Sequence, residues 1–166
     1  EDLRRRVIVT IDPPDARDYD DAISIRRCGP NRVELGVHIA DVSHFVRPGS
    51  PLDTEAAART TSVYLVDQVI PMLPEQLSNG VCSLRPDEDR LCFSAFLTFD
   101  TNGRMVERRF AKSTIRSRLR LTYEQALAEL DRRPVEGAAV PAEAEALIRE
   151  THRLAQQLRT ARMRNG

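Results

Sequence analysis

Between Ile11 and Asp21 the chain reads Ile-Asp-Pro-Pro-Asp-Ala-Arg-Asp-Tyr-Asp-Asp. Five carboxylates, Asp12, Asp15, Asp18, Asp20 and Asp21, fall within ten residues, and Arg17 is the only cation among them. Carboxylates crowded in this way raise one another's pKa, so holding all of them ionised without a partner is costly. A divalent cation resolves the conflict, and an all-oxygen donor set suits a hard ion such as Mg²⁺ or Mn²⁺. Pro13 and Pro14 stiffen the exit from Asp12. In an extended segment Asp18 and Asp20 point to one side and Asp21 to the other, and a turn would bring them toward Asp12. Three readings are open at this point: a solvated acidic loop, a calcium loop and a catalytic magnesium site. The calcium loop is the weakest, because no start position supplies both the Gly and the Glu that its spacing requires.

The elements around this loop must supply its scaffold. Arg6–Ile11 and Ala22–Arg27 read as strands on either side of it, Cys28–Asn31 as a turn and Arg32–Val42 as the next strand. Ser50, Pro51 and Asp53 open a helix that runs to about Thr60, ahead of the β-rich stretch Thr61–Val66. Pro71 and Pro74 bracket a loop and a short helical turn. Leu91–Phe99 and Arg104–Lys112 flank Asp100–Gly103 as a hairpin. Ile115, Leu119 and Leu121 alternate with Arg116, Arg118 and Arg120, the period of one strand with an apolar and a cationic face. Thr122 and Gln125 form a capping box for a helix over Tyr123–Asp131. After a linker, Arg132–Pro141, a long helix runs from Ala142 to Arg162 with the stripe Ala146, Leu147, Leu154, Leu158 and Ala161.

Other candidates are fewer. Residues 104–120 hold seven cations against Glu107 alone, and the face carrying Arg116, Arg118 and Arg120 suits an RNA backbone or, equally, the acids Glu143, Glu145 and Glu150. His38 and His44 read as buried, hydrogen-bonded histidines, and Tyr64 taken alone as a core residue. Cys28, Cys82 and Cys92 are odd in number and lack a metal-ligand spacing, which points away from a zinc site or disulfide framework and toward a reducing, cytoplasmic setting. Twenty-five basic and 25 acidic side chains cancel, so no uniform field attracts nucleic acid or membrane. No apolar stretch approaches the ~20 residues of a spanning helix, and no membrane partner is expected.

The segment Thr10–Ser24 closely resembles the opening signature of the ribonuclease II / ribonuclease R (RNB) family. The match continues in order through Leu35–Val46, Thr61–Leu65, Ile70–Pro74, Leu77–Gly80 and Cys82–Leu84. Ser113–Tyr123 is similar to the family's Arg-containing strand before a helix. Collinear blocks across residues 7–125 are not what a chance acidic loop produces. The resemblance implies a Mg²⁺-dependent 3′→5′ exoribonuclease that hydrolyses single-stranded RNA to nucleoside 5′-monophosphates, with Mn²⁺ as the alternative ion. It places the catalytic metal-site carboxylates on Asp12, Asp18, Asp20 and Asp21, leaves Asp15 without an assigned role, and sets Tyr64 against the terminal base.

The expected fold is α+β, a mixed, largely antiparallel sheet with packed helices. Residues 1–121 form a β-rich metal-site portion and residues 122–166 a helical portion. The family's catalytic domain runs well beyond this length, so the chain reads as its front half. Self-association or pairing with a complementing chain through exposed apolar surface is expected accordingly. The alternatives in function are a non-catalytic RNA-binding or regulatory protein derived from the same fold, and a different metal-dependent phosphoesterase.

Overall fold

A computed structural model describes residues 1–133 and 140–164 of the 166-residue chain. The strands flanking the acidic loop are β1, Val9–Asp12, and β2, Asp21–Arg27, with β3, Arg32–Ala40, following a turn at Gly29. A short helical turn, α1 (Val42–Phe45), and the helix α2 (Pro51–Arg59) come next. Ser50 caps α2, its Oγ accepting from the Asp53 backbone N–H at 3.2 Å. Two-residue strands β4 (Val63–Tyr64) and β5 (Val69–Ile70) make a small separate hairpin, less than the Thr61–Val66 run promised. A π-type turn spans Gln76–Val81. The long hairpin β6 (Asp89–Asp100) and β7 (Met105–Arg116) turns at Gly103, whose φ of 75° only glycine adopts without strain. Strand β8 (Leu119–Thr122) leads into α3 (Tyr123–Asp131) through the complete Thr122–Gln125 capping box, and α4 covers Ala142–Arg164. Most of the linker Arg132–Pro141 lies outside the described residues.

Six strands form one sheet in the order β7-β6-β3-β2-β1-β8, antiparallel throughout except for the parallel pair β1 and β8. The sequence pattern over Ile115–Leu121 predicts one strand, and the structure corrects this to two. β7 ends at Arg116, the chain breaks at Ser117, and β8 resumes on the opposite edge of the sheet. Three Cα steps reach at most about 11 Å. Five strand spacings laid flat would need about 24 Å. The sheet is therefore rolled so that its two edges approach at this end. Main-chain bonds mark the seam: the Arg118 N–H donates to Ile8 O at 2.8 Å and the Leu3 N–H to Thr114 O at 2.8 Å.

The roll encloses a core of Ile8, Ala22, Ala40, Leu84, Cys92, Phe96 and Ile115. The outer face is covered over β1, β2 and β8, where Val9, Ile23, Ile25 and Leu119 meet Ala144 and Leu147 of α4. Over β3, β6 and β7 it is open, with Ile39, Phe93 and Phe110 exposed and the two phenyl rings stacked 6.2 Å apart. The buried stripe of α4 is Ala144, Leu147, Ile148 and Leu154, whereas Ala146, expected inside, is exposed. His38 is buried as expected, but His44 is exposed on α1. All three cysteines are free thiols. Among the described residues no helix is long and apolar enough to cross a membrane.

Candidate metal centre

Strand β1 delivers Asp12 at its last position, and β2 begins at Asp21. The two strands pair antiparallel through Val9 and Ile23, so the eight-residue loop between them turns back on itself and returns Asp20 and Asp21 beside Asp12. The loop is anchored at both ends. On the far side, Ser83 Oγ donates to Arg17 O at 2.8 Å and accepts from the Tyr19 N–H at 3.1 Å, and the Leu84 N–H donates to Tyr19 O at 2.9 Å. On the near side, Arg120 of β8 reaches the carbonyls of Pro13 and Pro14.

Asp12 is buried, and its Oδ2 has no hydrogen-bond partner. The neighbouring Thr10 hydroxyl is buried and likewise unpartnered, its approach to Asp12 falling outside hydrogen-bond geometry. Burial pushes the Asp12 carboxyl above the usual carboxylate range, and the charges of Asp21 and Asp18 add to this. Asp20 keeps an accessible face but is crowded by surrounding protein. That partial loss of water is the first cause of its raised pKa, followed by the charges of Asp18, Asp21 and Asp12. The four carboxylates therefore sit within one another's field, and one of them holds an orphaned acceptor. Groups with these features fit a hard divalent cation, which would supply what Asp12 Oδ2 lacks and relieve the repulsion. Among the described residues no three His, Cys, Asp or Glu side chains have converged into a closed ligand set.

Tyr64 arrives from β4, far along the chain. Its hydroxyl donates to Asp18 Oδ2 at 3.5 Å, and 68% of the residue is exposed, so core packing is not its role. The Asp18 charge, before any other cause, raises its phenol pKa. The three arginines expected on one face are dispersed by the strand break at Ser117. Arg116 pairs with Asp89 at 2.7 Å, Arg120 turns onto the acidic loop, and only Arg118, exposed, has no side-chain partner among the described residues. Glu150 is paired elsewhere, with Arg27 and Arg153. The sequence reading missed Ser83 as an anchor and misassigned the geometry of Arg120. The Pro13-Pro14 pair, two carbonyls in succession with no N–H, was the signal that donors from elsewhere can fix this segment, as the Ala16 N–H does at Pro13 O at 3.2 Å and Arg120 does at both carbonyls.

Set beside known proteins, the chain matches the RNB domain family model over residues 1–166. It is 54% identical to ribonuclease R of Thermotoga maritima over 75% of this chain and 18% of that protein. Its fold superposes on Mycoplasma genitalium RNase R, solved with double-stranded RNA, with a TM-score of 0.94 at 34% identity, over 100% of this chain and 29% of that one. Yeast Ssd1, a pseudonuclease, shares the fold alone, with a TM-score of 0.79 at 21% identity over 95% of this chain and 18% of that one. The chain thus spans less than a third of the length of these relatives.

Proposed function

The chain belongs to the RNB domain family, and from that premise we propose that it carries the metal-binding portion of a hydrolytic 3′→5′ exoribonuclease. The substrate is single-stranded RNA and the products are nucleoside 5′-monophosphates. Asp12, Asp18, Asp20 and Asp21 would hold the cation, Mg²⁺ with Mn²⁺ as the alternative. When bound, the ion offsets charge on the scissile phosphate and makes a coordinated water more acidic. The residues themselves do three things. The carboxylates fix where that phosphate can sit, because their charge repels it everywhere except at the cation. Tyr64 offers an exposed ring beside Asp18, and stacking there is indifferent to base identity. Of Arg116, Arg118 and Arg120, Arg118 is the one whose side chain has no partner among the described residues and is open to a backbone phosphate.

The observation that carries this reading is the buried, unpartnered Oδ2 of Asp12 among charge-coupled carboxylates. Likeness to a pseudonuclease is a reminder that the fold alone does not confer turnover, so the test must address the carboxylates. End-labelled single-stranded RNA incubated with the chain and Mg²⁺ should release mononucleotides from its 3′ end. Asp20→Asn should slow that release by roughly 100-fold or more. A gel shift without products would favour a non-catalytic RNA binder, and internal cuts or equal action on DNA would favour a different phosphoesterase.

A further inference from the structure

Two consecutive prolines follow Asp12, and neither has a backbone N–H. No strand pairing can therefore hold this segment through donors of its own. It presents only carbonyls, and whatever fixes it must donate. Strand β8 runs parallel to β1 with Arg120 beside Thr10 and Thr122 beside Asp12. From that position the Arg120 side chain extends along β1 past its end. One terminal nitrogen, Nη2, donates to Pro13 O at 2.5 Å and to Pro14 O at 2.9 Å. The guanidinium carbon lies 5.6 Å from the centre of the Tyr19 ring, so the same group touches the loop on its return leg. Its Nε is buried without a partner, whereas the two Nη2 bonds lie at the half-buried end of the side chain.

We propose that Arg120 is a positioning residue: by clamping the Pro13 and Pro14 carbonyls against the Tyr19 side of the loop, it sets the separation of Asp12 from Asp18 and Asp20. This rests on the reading of the acidic loop as a divalent-cation site. Arg120 does not contact substrate in this role. It acts through the loop, as Ser83 does at Arg17 and Tyr19 from the opposite side.

The sign of one measurement separates this from the other uses of a cation at this place. A positive charge near carboxylates opposes cation binding, so on charge alone Arg120→Met would strengthen the binding of a divalent ion. For an arginine used only for RNA, that charge effect would be the whole effect on the ion, and RNA affinity would fall. A positioning arginine gives the opposite of the charge effect: its loss weakens the ion although a positive charge has been removed. Mn²⁺ binding to the metal-free chain, followed by the paramagnetic resonance signal of the free ion, reads this directly without turnover. Arg120→Met should weaken Mn²⁺ by about 10-fold to 100-fold, the range for groups that orient metal ligands from behind. Arg120→Lys, with a shorter reach but donors for both carbonyls, should restore part of that loss, and Ser83→Ala should weaken Mn²⁺ in the same direction. Circular dichroism of each variant checks that the sheet is intact, and the Lys variant keeps the test open if the Met variant does not fold. Equal or tighter Mn²⁺ binding by Arg120→Met overturns the proposal while leaving the metal site standing. Absence of Mn²⁺ binding by the unsubstituted chain overturns the metal site itself, and this role with it.

Discussion

At Tyr64 two properties of one side chain can be taken apart, because the hydroxyl lies on Asp18 while the ring is exposed. Tyr64→Phe removes the first and keeps the second, and Tyr64→Ala removes both. If the ring stacks a base, the Phe variant should bind a short single-stranded RNA as the parent does. The Ala variant should then bind about 5-fold to 150-fold more weakly, the equivalent of roughly 1–3 kcal/mol. Fluorescence anisotropy in metal-free buffer measures this without turnover, and equal affinity of all three proteins would remove Tyr64 from the interface. At this scale the sequence was informative for the carboxylates, since five acids within ten residues announce their own chemistry. It was uninformative for their supports. Arg120 sits in an alternating Arg pattern that looks like a surface face, and only the folded register shows its guanidinium turned onto the two proline carbonyls.

Among the elements, β3 lies between β2 and β6 and leaves no room for a side chain at Gly36. Gly36 is paired with Ser24 on one side and Phe96 on the other. A Cβ at this position would run into Ser24 Oγ and come within 2.9 Å of His38 Nε2. Gly36→Ala should therefore force those two side chains apart and cost about 1–3 kcal/mol, the usual penalty of overpacking. A urea midpoint unchanged from the parent would show that the sheet yields at no cost. Elements with local signals were legible in advance: Ser50 with Pro51 for α2, the Thr122–Gln125 box for α3, and Asp100–Gly103 for the β6–β7 turn. The break at Ser117 was not, because the alternation of Ile115 through Leu121 continues across it and only the roll of the whole sheet demands that the chain change edges. The face of α4 was half legible. Leu147 and Leu154 hold, but contact with Val9, Ile23 and Ile25 selects Ala144 in place of Ala146.

For the molecule as a whole, the acidic loop and the core respond to protons in opposite directions. Asp12 and Asp20 have raised pKa values in the fold, so lowering the pH relieves their repulsion and contributes stability. His38, at the centre of the sheet, works the other way. It is fully buried, bonded through Nε2 to Ser24 Oγ at 2.9 Å and through Nδ1 to Ser94 Oγ at 2.7 Å, and Ser94 continues to Ser113 at 2.6 Å. Burial first, and then the Arg6 charge, lowers its pKa from 6.5 to about 4. The unfolded chain thus takes up a proton near pH 6.5 that the folded chain refuses until about pH 4. The contribution of His38 is complete above pH 6.5, is lost as the pH falls through that window, and is level below it. At about 1.4 kcal/mol per pKa unit, the loss is on the order of 3 kcal/mol. His38→Gln, neutral at every pH, should be less stable than the parent at pH 7.5 and should lose less on acidification. Since Asp12 and Asp20 are common to both proteins, the difference between their stability curves from pH 7.5 to pH 4.5, measured by urea unfolding with a chelator present, isolates the histidine. Parallel curves would mean that His38 is protonated inside the sheet without penalty, and that the three serines around it, rather than its neutrality, hold the layer together.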